Sequence, residues 1–232
     1  MSDHEGDEWG TGEQLRELAP TTRRAFLESS AKVGGGALAL SLGGAGAVAA
    51  TGGQESEDGP SDVDILNYAL TLEHLEYAFY RDGLEQFSEG DLAQSKSIRR
   101  LTKGVQYSVT DLLEVVRDHE KAHVDALTEV VTDLGGEPVG EAEYDFGYSN
   151  ATEFVAIAQA LENTGVAAYA GAAPAIQNDE ILSAALSIHS VEARHASILN
   201  FANGDSPFPD AFDPAQSMEE VIEIASQFIV EG

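Results

Sequence analysis

The chain has 232 residues, with 12 Lys+Arg against 41 Asp+Glu, a formal charge of -29 and no cysteine. That length holds one sizeable domain with appendages. The charge argues against nucleic acid or an anionic membrane as a partner. The missing cysteine excludes disulfides, thiol catalysis, zinc–thiolate sites, iron–sulfur clusters and a rubredoxin-like iron centre. With 43% hydrophobic content in helical periods, the composition is not that of a disordered acidic chain. A carboxylate-covered, lysine-poor surface suits a protein soluble in molar salt, where a Debye length of about 3 Å screens self-repulsion.

Residues 1–20 are acidic, glycine-rich and aperiodic. Then come Thr21-Thr22-Arg23-Arg24-Ala25-Phe26-Leu27, a Gly/Ala/Leu run over 33–50 and the small residues Ala47-Val48-Ala49. Paired arginines, Phe-Leu and a weakly apolar run resemble a twin-arginine export signal, apart from Glu28 where such signals often carry a basic residue. The rival reading is a transmembrane or buried core helix. Eighteen residues barely span a bilayer and seven of them are Gly or Ser, so the export signal is the better fit. It covers residues 1–50, with cleavage near Ala49 or Ala50 or retention as an anchor. Residues 51–61 form a linker.

The helical domain covers 62–204. Ser61 or Asp62 caps a helix to about residue 84, and a short helix is expected around 92–100. A second long helix runs over about 104–134 and stops at Gly135-Gly136. Tyr144, Phe146 and Tyr148 follow in an aperiodic stretch suited to packing on a groove. Asn150 caps a third helix that reaches Ala173-Pro174, and Asp179 caps a fourth that ends near Asn203-Gly204. Residues 205–232 hold a loop and a short amphipathic helix over 217–230, with Val221, Ile224, Ala225 and Phe228 inward. The short join between helices three and four makes them antiparallel neighbours. The 16 residues from Gly135 to Asn150 extend over roughly 50 Å, against roughly 35–45 Å for the long helices. One crossover can thus traverse the bundle. The predicted fold class is all-α, a four-helix bundle with one long crossover and a short C-terminal helix.

Each long helix carries an apolar seam broken by a few polar residues. The second reads Val109, Leu113, Val116, Glu120, His123, Leu127, Val130, Leu134, and the fourth Ile181, Ala185, Ile188, Glu192, His195, Leu199, Ala202. The first reads Leu66, Leu70, Glu73, Tyr77, Tyr80, Leu84, and the third Val155, Ala158, Glu162, Gly165, Tyr169, Ala172, Ile176. Glu and His three apart share a helix face. One Glu-x-x-His is weak evidence, a lone buried His is more often a hydrogen-bonded core residue, and a lone Tyr more often packing. The alternating order Glu, Glu-x-x-His, Glu, Glu-x-x-His is not so easily dismissed. Four buried carboxylates carry -4, which two divalent cations balance and no Lys or Arg in the seams can. The expected site is dinuclear, with Glu73, Glu120, His123, Glu162, Glu192 and His195 as ligands. Glu76 lies on an equally apolar line and competes with Glu73. Oxygen and nitrogen donors suit two Fe or two Mn ions.

Glu73-x6-Tyr80, Glu120-x-x-His123, Glu162-x6-Tyr169 and Glu192-x-x-His195 resemble the ligand set of the ferritin-like di-iron carboxylate superfamily. The runs Leu66–Glu73, Ala160–Tyr169 and Val191–His195 are similar to the ferritin-like, desiccation-related protein family. The resemblance implies that Glu120 and Glu192 bridge the metals, Glu73 and Glu162 are terminal, and His123 and His195 take one metal each. It makes Tyr80 and Tyr169 the catalytic candidates, hydrogen-bonding a ligand or supplying an electron. His189 becomes a candidate support for a ligand, while His119, His74 and Arg194 are expected to face outward. It further implies redox chemistry on dioxygen, peroxide or ferrous iron, with iron storage or a non-catalytic desiccation-related role as alternatives. A homo-oligomer is a further expectation, as is membrane contact only through an uncleaved signal, at an extracellular or cell-surface location.

Overall fold

The structure, a computed structural model, describes residues 59–230. The export-signal reading and most of the linker lie outside these residues. Six α-helices are described: α1 (Asp62–Gln86), α2 (Glu89–Gln94), α3 (Lys103–Asp133), α4 (Ala151–Ala172), α5 (Asp179–Asn203) and α6 (Met218–Ser226). Helices α1, α3, α4 and α5 form the bundle. α1 packs chiefly on α3, and α4 chiefly on α5. The start of α1, the ends of α3 and α4 and the start of α5 line one pocket. Each pair is therefore antiparallel, and α3 runs parallel to α4.

Local chemistry sets the boundaries. Ser61 caps α1 with a reciprocal bond from Asp64, and Ser217 does the same for α6 with Glu220, each pair satisfying backbone donors that a helix start leaves free. Asn150 caps α4 as expected. For α5 the cap is Asn178 rather than Asp179; Asp179 becomes the first helical residue, where its charge favours the positive end of the dipole. The expected helix over 92–100 is split into α2 and a 3₁₀ turn, Ile98–Arg100. The C-terminal helix stops at Ser226 because the chain then pairs with the crossover: Asp145 N–H donates to Phe228 O and Val230 N–H to Glu143 O.

The crossover rides along α1. Asn67 accepts from Val139 N–H and donates to Glu137 O, and Arg81 pairs with Glu141 at 2.8 Å. Farther along, Phe146 and Tyr148 set their edges against Phe79 at 5.1 and 5.6 Å, and Phe79 stacks on Phe154 at 4.8 Å. Gly83 makes room for this cluster, since a Cβ there would lie 2.1 Å from the Phe154 ring. The aromatic cluster belongs to the larger of two apolar cores. The smaller gathers Leu66, Leu70, Val124, Leu127, Val131, Tyr169, Ile181 and Ile188. Among the described residues no helix is long and apolar enough to cross a membrane.

Candidate metal centre

The polar interruptions of the four seams meet inside the bundle. Glu73, Glu120, Glu162 and Glu192 are fully buried, and His123 and His195 nearly so. Each imidazole points Nδ1 into the cluster. His123 Nδ1 lies 3.1 Å from Glu73 Oε2, 3.0 Å from Glu120 Oε2 and 3.1 Å from Glu192 Oε1. His195 Nδ1 lies 3.0 Å from Glu120 Oε1, 3.2 Å from Glu162 Oε2 and 3.7 Å from Glu192 Oε2. Glu120 and Glu192 thus turn one oxygen toward each imidazole. Glu73 faces only His123 and Glu162 only His195.

The tyrosines complete a pseudo-two-fold pattern by reaching across. Tyr80 on α1 donates to Glu162 Oε1 on α4 at 2.6 Å, and Tyr169 on α4 donates to Glu73 Oε1 on α1. Each outer glutamate has one oxygen on a tyrosine and the other beside a histidine. Burial, reinforced by the facing glutamate, pushes both phenols well above their ordinary pKa and keeps them protonated.

Two tetrads, Glu73–Glu120–His123–Glu192 and Glu120–Glu162–Glu192–His195, each bring donor atoms within 4.8 Å of one another. Although His195 Nδ1 is near three carboxylates, it has no directed hydrogen bond, and neither have Glu120 Oε1, Glu162 Oε2 or the two oxygens of Glu192. Buried polar atoms left so cost free energy unless something else satisfies them. Protein groups alone balance the charge only with protons. Burial lowers the imidazole pKa values, but the surrounding carboxylates override it and push both up to about 12. Glu192 is opposed by burial yet held down to about 2 by the two histidines. Burial pushes Glu73 up to about 8 and Glu162 well above its usual range. A pair of divalent cations would replace those protons and satisfy the directionless oxygens, so the residues fit a dinuclear metal group.

Glu76 is also buried, in keeping with its equally apolar line in the sequence, but it lies outside both tetrads. It leans over Gly165, where a Cβ would lie 3.1 Å from Glu76 Oε1 and 3.6 Å from Glu192 Oε2. In the internal repeat Glu73 matches Glu162, so Gly165 occupies the place that matches Glu76. The glycine vacates the volume that the extra carboxyl needs.

Of the two histidines expected to face outward, His119 is exposed as expected, yet it also sets Nδ1 3.0 Å from His195 Nε2, with the rings stacked at 5.2 Å; only His74 departs from the expectation. His74 is half-buried, and its Nε2 lies 3.1 Å from Val139 O on the crossover. Neither histidine is on a seam, so periodicity carries no sign of either contact; both depend on how neighbouring segments pass. His189 is half-buried with Nε2 lacking a hydrogen bond. Arg194 is exposed and donates to Ser190 Oγ, pointing away as expected.

Antiparallel helix pairs joined by a full-length crossover around such a cluster define a ferritin-like bundle with a buried carboxylate–histidine centre. A model of the ferritin-like domain family matches residues 61–205, and the chain belongs to that family. It is also similar to protein rds1 of Schizosaccharomyces pombe (strain 972 / ATCC 24843), at 24% identity over 171 residues. The alignment covers 73% of this chain and 39% of that protein, so the chain spans well under half the length of this relative.

Proposed function

We propose that the protein is an exported dinuclear iron or manganese carboxylate protein that carries out redox chemistry on peroxide, dioxygen or ferrous iron in stress protection. The observation that carries this is the sharing of Glu120 and Glu192 between the two imidazoles, the arrangement expected of bridging carboxylates. One ion would take Glu73, Glu120, Glu192 and His123, and the other Glu162, Glu120, Glu192 and His195. When bound, such a pair exchanges two electrons with oxygen or peroxide without releasing radicals. The rest falls to the chain. Apolar seams keep water from the cluster, and Tyr80 and Tyr169 fix the rotamers of the outer glutamates by donating to one oxygen of each. His119 braces the far edge of the His195 ring, keeping Nδ1 toward the carboxylates.

Export by the twin-arginine route, action outside the cell and a salt-rich setting belong to the same proposal and rest on residues 21–50 and the acidic composition. So does self-association. Leu112 and Val115 on α3 and Leu186, Ile198 and Phe201 on α5 are all exposed, and α5 offers no exposed carboxylate from Ile181 to Asn203. Apolar residues exposed on a helix stretch whose one exposed charge is Arg194, on so acidic a chain, suit contact with a second copy.

The test is elemental analysis of protein from its native host, with anaerobic Fe(II) titration and a peroxide assay alongside. Two irons or manganeses per chain with peroxide turnover are expected, and Glu73→Ala and His195→Ala should lower the metal content. An empty protein that refuses Fe(II) ends this reading. Hundreds of irons in a large symmetric oligomer would make it a storage protein. A filled but inert protein that loses its fold on chelation would make it structural.

A further inference from the structure

One end of the bundle is hollow. A pocket of about 270 Å³ lies between the first turns of α1, the last turns of α3 and α4 and the first half of α5. Leu66, Ala69, Leu127, Ile181 and Ile188 form its walls together with Tyr169. These walls lead toward the carboxylate cluster. Ala69 is one turn before Glu73, Leu127 one turn after His123, and Ile188 one turn before Glu192, each on the same helix face as its partner. Tyr169 belongs to both places: its ring is a wall of the pocket and its hydroxyl donates to Glu73. Among the polar lining residues, Asp133, Asn178 and Glu180 are exposed and mark the outer rim. Among the described residues no Lys or Arg lines the pocket.

The lining chooses the occupant. A cavity of about 150 Å³ walled by Leu, Ile and Phe stays dry and takes up benzene; this one is nearly twice that volume, with similar walls. Water finds few partners on such a surface. An anion is disfavoured both by desolvation among aliphatic side chains and by the rim carboxylates Asp133 and Glu180. We infer that the pocket is a binding site for an uncharged apolar molecule of on the order of ten carbons, whose inner end rests on Tyr169 beside the carboxylate cluster. The presentation of that molecule to a metal pair rests on the function proposed above; its binding does not.

A matched pair of fluorescent probes tests the site on the full chain: neutral naphthalene, with ten carbons, and its sulfonated counterpart, 1-naphthalenesulfonate. Metal content is measured on the same samples. The neutral probe should bind saturably at one per chain, and the sulfonated one about tenfold more weakly or worse. Ala185→Trp and Ala69→Phe, two separate fillings of the pocket, should each weaken the neutral probe by at least about tenfold with helix content unchanged. Equal binding of the two probes, or binding that survives whichever filling variant stays folded, overturns the site. So does a wild-type chain that binds no probe, whether a second copy or its own residues 33–50 cover the pocket. Metal-loaded protein without probe binding sinks this inference and leaves the metal reading standing; probe binding to protein that refuses metal does the reverse.

Discussion

The two outer glutamates have equivalent partners and opposite surroundings. Glu162 receives Tyr80, and the Tyr80 ring lies in the aromatic cluster, 5.4 Å from Phe79 and 6.2 Å from Phe154. Glu73 receives Tyr169, whose ring borders the hollow end. Pseudo-symmetry governs the donors, and what packs behind them breaks it. The difference has an energetic cost. At ~24 cal/mol per Å³, a closed dry cavity of that size would forgo roughly 6 kcal/mol, and the open rim reduces this to a smaller but still substantial loss. Against a net stability of about 5–15 kcal/mol, a space retained beside one tyrosine and eliminated beside the other points to use rather than to poor packing.

Truncations at the two ends should separate most widely. Phe154→Ala at the sealed end removes a fully buried ring from a four-ring contact with Phe79, Tyr80, Phe87 and Tyr148, and should cost about 3–5 kcal/mol in urea denaturation. Leu127→Ala at the hollow end removes a side chain that already faces empty space, and should cost about 2 kcal/mol. Equal losses would mean that the pocket is filled in solution. Next come the hydroxyls. Tyr80→Phe strips a donor from Glu162 where no water can replace it, an effect of about 2 kcal/mol at fixed metal content. Tyr169→Phe removes the hydroxyl that stands between Glu73 and the open-rimmed pocket, so that a water entering there gains a carboxylate partner, and should cost about 1 kcal/mol or less. A larger loss from Tyr169 would show that its end is closed.

The bundle and the buried cluster of four glutamates and two histidines were legible because burial of charge leaves a mark in heptad arithmetic. Glu120 and His123 interrupt an otherwise apolar line, and so do Glu192 and His195. The crossover was legible from loop length alone. The reciprocity of the tyrosines was not, since seven-residue spacing places each below its own glutamate while the helix pairing makes it serve the other. His119 and His74 escaped notice because their partners, His195 across the open α3–α5 seam and Val139 on the crossover, lie on other segments. Glu76 left a trace that could have been read: the repeat sets Gly165 opposite it. The hollow end is the least visible feature. Ala69, Ala168, Ala172, Ala184 and Ala185 all line it, but alanine is equally the residue of close helix contact. Only the separation of the helices decides between the two.

The smallest effects are the most decisive, because they should differ in sign. Ala185 is half-buried and lines the pocket, so Ala185→Leu adds carbon where there is room. It should raise the denaturation midpoint, worth about 0.5–2 kcal/mol, while weakening the neutral probe. Gly83→Ala also adds carbon, on α1 at the sealed end. Helix propensity alone would favour alanine there by about 1 kcal/mol. The new methyl would meet the Phe154 ring at 2.1 Å, and that ring is held by Phe79 at 4.8 Å, so it cannot yield without disturbing the whole cluster. The clash should outweigh propensity and leave a net loss of about 1–3 kcal/mol. If both substitutions stabilise, the aromatic cluster is looser than its ring contacts imply. If both destabilise, the hollow end is already occupied, and the asymmetry between the outer glutamates disappears with it.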